Sequence, residues 1–289
     1  MSFVKDRISR RQFLKGAVAT AAVAVAGPKL IEAGYRPFSA DSLEVWSCGG
    51  LAESFLDANE IYEKKTGHNI QYTGAIAGVL GKYILTGKGQ TEVFGIRGLE
   101  AAQKMRQKGF SLGFKPLCMS DYGIYVPKGN PAGIRDLQDL AEPGVRLMLP
   151  LEASPPGSGS VKGVMKKSGL TEKMMNNMVV KETCVIKMMC GLVDGKGDAT
   201  IAEKRLSTHP RFRDKVEYIP LPLEALPPGP LVFTVNTMKF VKDKALANDF
   251  IEFLLSDEGQ AAFERNGFSS VHSARGLDLI ERFGVKDVQ

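Results

Sequence analysis

Cys48, Cys118, Cys184 and Cys190 are the side chains with the widest chemistry in this sequence. Thiolates form disulfides, ligate soft metals and act as nucleophiles. Spacing narrows those options. No CxxC pair occurs, and His68, His209 and His272 stand at no ligand spacing to the cysteines or to one another, so no zinc-type set is spelled out. Cys184 and Cys190 are six residues apart in an expected helix, about 9 Å in rise and about 240° in rotation, too far for a bridge within it. No Ser-His-Asp, HExxH or P-loop pattern is present, and Gly157–Gly159 alone is only a hint of an anion-binding loop. Aromatic residues do not alternate with Lys and Arg, which argues against single-stranded nucleic acid as a partner.

The elements that must position these residues alternate. Leu43–Ser47 reads as a strand, followed by the turn Cys48-Gly49-Gly50 and a helix over about 51–65, with Leu51, Phe55, Ala58 and Tyr62 on one face. Strands are expected at 68–73, 92–95, 122–127, 145–149, 178–181, 198–202, 216–221 and 231–235. Helices are expected at 79–85, 100–108, 134–140, 161–168, 184–193, 245–255 and 257–266. Strand–helix alternation implies α/β sheets with helical crossovers.

The first 26 residues are set apart. Ser9-Arg10-Arg11-Gln12-Phe13-Leu14-Lys15 precedes the apolar run Gly16–Gly27, which is shorter than the roughly 20 residues a membrane-spanning helix needs. The pattern resembles a twin-arginine signal peptide over 1–26, with a linker over 27–41. The implied partner is the twin-arginine export machinery, and the implied location is periplasmic or otherwise extracytoplasmic. The chain of 289 residues carries a formal charge of +6, yet without residues 1–26 it holds 33 basic against 31 acidic residues. The basicity therefore belongs to the leader and not to a nucleic-acid-binding face. In an oxidising compartment, four cysteines are expected to give one disulfide with the remaining thiols buried, Cys190 in a core. Cys48, Cys118 and Cys184 make the alternative set for a soft metal, and no cofactor is expected.

Four stretches carry a further resemblance: Leu51–Phe55, Tyr125–Pro131 with Asp136-Leu137 and Asp139-Leu140, Leu192–Ala199, and Ala247–Gln260 continuing to Gly267-Phe268. Over about 43–270 the chain resembles the two-lobed (type II) periplasmic solute-binding proteins, and within them the molybdate/tungstate-binding family of ABC importers. That resemblance implies two α/β lobes, each a mixed sheet flanked by helices, over 42–119 with 226–289 and over 120–225. The crossings would fall near 117–124 and 219–231. It implies a non-enzymatic receptor that captures a small inorganic oxyanion and hands it to a membrane permease. A soft-metal receptor and an exported redox or cofactor protein are the alternatives.

The family's binding loops map onto Ser47, Cys48, Gly49 and Gly50; onto Ala75, Ile76 and Ala77; onto Gly157 and Ser158; onto Cys184 and Val185; and onto Glu203. Ser154, Ser160 and Thr183 are further hydroxyl donors near those loops. The family places serine hydroxyls and a tyrosine where this chain has Gly50, Ile76 or Ala77, and Glu203. A buried oxyanion needs donors, and a carboxylate at Glu203 beside it would repel it.

Overall fold

In the computed structural model, residues 42–153, 157–226 and 231–285 are described. The leader, the linker and Ser154 lie outside them. Strand β1 (Ser42–Cys48) buries Leu43, Val45 and Ser47 by simple alternation. Helix α1 (Ala52–Thr66) lays Phe55, Ala58 and Tyr62 on the sheet and ends at Gly67, whose φ of 76° closes it. Strand β2 (Asn69–Ala75), helix α2 (Ala77–Leu85), strand β3 (Val93–Arg97) and helix α3 (Leu99–Gln107) complete the first run. β1 and β3 pair in parallel, Trp46 opposite Phe94 and Ser47 opposite Gly95. Gly95 allows close packing there: a Cβ would sit 3.0 Å from both the Phe55 ring and the Ser47 Cβ, and those neighbours would have to give way.

Strand β4 (Ser111–Met119) is an element that the sequence reading leaves out. Gly113 and Pro116 disguise it. Pro116 adjoins an irregularity in the ladder, where Thr234 faces Pro116 but Phe233 faces Cys118. From Met119 the chain crosses to a second sheet. Strand β5 (Tyr122–Pro127) is its centre, flanked on both sides by antiparallel neighbours, β8 (Thr200–Glu203) and β9 (Val216–Pro220). Between them come β6 (Leu147–Leu149), α4 (Gly157–Ser168), α5 (Thr171–Asn176), β7 (Met178–Lys181) and α6 (Val185–Val193), with β6 and β7 paired in parallel. The helix expected at 134–140 is only a 3₁₀ turn, Asp139–Ala141. Side chains compete for its backbone: Asn130 Oδ1 accepts from Ile134 N at 3.0 Å and Asp136 Oδ1 from Gln138 N at 2.8 Å.

Strand β10 (Val232–Met238) returns to the first sheet and inserts antiparallel between β3 and β4. Helices α7 (Lys244–Leu255) and α8 (Asp257–Arg265) pack on α1, and β11 (Ser269–Ser270) closes the edge. The sheet order is β11-β4-β10-β3-β1-β2. Helix α9 (Ala274–Phe283) instead sends Leu279 into the core that holds Ile124 and Ile201 of the second sheet. Its Arg275 grips Asp121, between β4 and β5, with Nε and Nη2 both at 2.9 Å, and donates to the Leu221 carbonyl beyond β9 at 2.8 Å. One guanidinium thus ties the segments that follow β4 and β9.

Candidate functional site

A cavity of about 660 Å³ opens where the C-terminal ends of β1, β3 and β8 meet the starts of four helical segments. Such strand ends are where open α/β sheets bind ligands. The first segment is the 3₁₀ turn Gly49–Leu51 leading into α1; the others are α2, α4 and α6. Cys48, Ile76 and Cys184 occupy the cap positions of three of them, and none gives a side-chain cap. The first N–H groups of those helices are left without intrahelical acceptors and carry the positive end of the helix dipole. Helices α7, α8 and α9 differ: Asp243, Ser256 and Ser273 cap them. α3 and α5 also lack a side-chain cap, but their first residues do not line the cavity.

The ionic groups come from both sheets. Arg97 ends β3 and Glu203 ends β8, and the Arg97 guanidinium donates to Glu203 Oε1. Arg205 Nε donates to Oε2 at 2.7 Å and the Tyr122 hydroxyl to Oε1 at 3.2 Å. Arg97 also lies over the Phe233 ring at 5.1 Å. Burial pushes the Glu203 carboxyl up, but the two guanidiniums outweigh it and hold it down to about 2. Burial and the neighbouring carboxylate push the Tyr122 phenol up, so it stays a neutral donor. Two cations against one carboxylate leave the charged lining at net +1.

Ten of the twelve residues anticipated from sequence line this one cavity: Cys48, Gly49, Gly50, Ala75, Ile76, Ala77, Gly157, Cys184, Val185 and Glu203. Thr183 joins them. Gly49 backs onto the Ala75 carbonyl and Gly157 onto Val185, so the loops meet in pairs. Ser47 does not reach the cavity; it is fully buried in β1, its hydroxyl 2.6 Å from the Tyr72 hydroxyl and donating to the Cys48 carbonyl at 3.0 Å. Ser158 is half-buried in the first turn of α4 and is not in the lining. Ser160 is buried. Arg97, Tyr122 and Arg205 escape the sequence reading. The strand-end rule that selects Cys48 also selects Arg97, but only once β3 is known to lie beside β1.

The cysteine expectations are corrected. All four thiols are free, so no disulfide forms. Cys118 is wholly buried in β4 among Val45, Leu117 and Phe233, and burial pushes its thiol well up. It therefore cannot join Cys48 and Cys184 on the cavity wall. Among the described residues no three His, Cys, Asp or Glu side chains come together to hold a metal ion. Cys190 is half-buried against the α6 core and not enclosed within it.

The sequence profile of bacterial extracellular solute-binding proteins matches residues 43–269. The chain belongs to that family. The twin-arginine signal sequence matches residues 7–27, which makes this solute-binding protein an exported, periplasmic one. The sulfate-binding protein of Salmonella typhimurium is 30% identical over 179 residues, 55% of this chain. The match spans 52% of that relative, about half its length. The substrate-binding domain of a candidate molybdenum ABC transporter from Clostridium difficile superposes with a TM-score of 0.70 at 19% identity, over 80% of this chain and 99% of that one. The periplasmic molybdate-binding protein of Azotobacter vinelandii gives a TM-score of 0.58 at 18% identity, over 78% and 98%. The type II periplasmic-binding fold expected from sequence is therefore the fold of this solute-binding protein.

Proposed function

We propose that this chain is the solute receptor of an ABC importer and that it captures an oxyanion in the cavity between its six-stranded and three-stranded sheets. In this reading residues 42–119 with 226–289 form one lobe and 120–225 the other. The ligand sits among Cys48–Gly50, Ala75–Ala77, Gly157, Cys184-Val185, Arg97 and Arg205, and the loaded protein docks on a membrane permease. No bond is made or broken. The carrying observation is the convergence of four helix starts with two guanidiniums on one cavity of net positive charge. Orphan N–H groups bind an oxyanion without titrating, and water exclusion strengthens each contact. Glu203 is compensated by Arg97 and Arg205, so the cluster keeps a net positive charge. The family and the sulfate- and molybdate-binding names among the relatives support an oxyanion group as the ligand's recognised feature.

The test is thermal melting and calorimetry of the mature protein with sulfate, molybdate and tungstate, and with organic sulfonates and phosphonates. A saturable rise in melting temperature, recovery of the ligand unchanged, and loss of binding in Arg205→Gln are expected. Stabilisation by none of these anions would refute the reading.

A further inference from the structure

We infer that the ligand is an organic oxyanion, an acidic head group on a short apolar body; the inference rests on the receptor reading above and names its ligand class. The charged side chains of the lining are gathered together: Arg97, Glu203, Arg205 and Tyr122 form a single bonded cluster. The other side chains of the lining are apolar apart from the Thr183 hydroxyl and the thiols of Cys48 and Cys184. Ile76 lies on one side, at the start of α2, and Val185 and Ile186 begin α6 on the other. Among the described residues no serine side chain lines the cavity, and the Ser47 hydroxyl is engaged by Tyr72 and the Cys48 carbonyl.

A tetrahedral inorganic dianion presents oxygens in every direction. The N–H groups at the starts of α2 and α6 can serve some of them, but an oxygen turned to the Ile76, Val185 or Ile186 side chain would lose water without gaining a donor, which is costly. A head group with its oxygens at the guanidiniums and helix starts, and a hydrocarbon tail along the walls, leaves neither end unsatisfied. Size agrees: about 660 Å³ falls in the range of small-molecule pockets, roughly 300–1,000 Å³, far above the needs of a five-atom ion. Ile76 is 74% exposed, more than any other large apolar side chain among the described residues, and it borders this cavity. An apolar tail gives it something to cover it.

The experiment is calorimetry on the mature protein with sulfate and molybdate, then with methane-, ethane-, propane- and butanesulfonate, and with the matching phosphonates and carboxylates to identify the head. Kd is expected to fall about fourfold per added methylene, about sixtyfold from the first to the last member. Ile76→Asn, on an exposed position that leaves the core alone, is expected to flatten that dependence to about twofold per methylene. Binding of the inorganic oxyanions with no gain from the alkyl chain overturns the inference and leaves the receptor reading standing. Binding of none of these compounds overturns both.

Discussion

Replacing Glu203 by Gln should lower stability and tighten anion binding at once. Glutamine keeps the shape and one acceptor oxygen but removes the charge that Arg97 and Arg205 enclose. The folded carboxyl lies at about 2 against an ordinary 4.5, so it is depressed. A depressed acid contributes stability that is fully present above pH 4.5 and is lost as pH falls towards 2. A shift of this size is worth on the order of 3 kcal/mol. The Glu203 side chain is only 10% exposed, so little of that is screened. The figure agrees with the roughly 3–5 kcal/mol that breaking a buried pair costs. For a chain of this length the melting temperature at pH 7 should fall by about 6–12 °C. The two proteins should converge as the pH approaches 2. Removing a unit charge about 6 Å from a bound anion, at an effective dielectric constant near 20, is worth roughly 3 kcal/mol before relaxation, so affinity should rise by between tenfold and a hundredfold. Melting curves from pH 2 to 7 and calorimetry at pH 7 test both arms. Parallel pH profiles for the two proteins, or weaker anion binding by Glu203→Gln, would refute the account of this cluster.

Lysine at both Arg10 and Arg11 should trap the protein in the cytoplasm, as read by cell fractionation. Cys48→Ser and Cys184→Ser should each change the Kd for an oxyanion by less than about threefold, because the thiols border the cavity while backbone N–H groups hold the charge. Denatured protein kept free of reductant should titrate four thiols per chain; two or fewer would show a disulfide. Arg275→Ala should cost about 3 kcal/mol in a denaturant melt, because it strands the buried Asp121 carboxylate.

Strand ends and helix starts were legible because they are local. Alternation marks β1, i to i+4 spacing marks α1, and the turn between them brings Cys48–Gly50 to the cavity. Strand order was not legible. β10 lies between β3 and β4 although more than a hundred residues separate it from either, and nothing in the local pattern of Arg97 says that it will meet Glu203. Glu203 alone read as a repulsive misfit; only its two partners make it intelligible. β4 was hidden because proline and glycine look like breakers until a ladder irregularity accommodates them. Helix α9 went unread, although Ser273 and Gly284 bracket it as cap and stop.

The grip of Arg275 on both crossing segments sets α9 beside the two places where the chain passes between the sheets. If one sheet rotates against the other, the pair of segments that this guanidinium holds is the expected hinge, and the helix is expected to stay near the line of rotation. A fluorophore on Leu277, which is 54% exposed on α9, should therefore keep nearly constant distances to both sheets while solute enters. One placed beside Ile76, at the cavity mouth, should travel furthest. The two positions together would turn the receptor into a ruler of its own opening, with the fixed mark supplied by the fold.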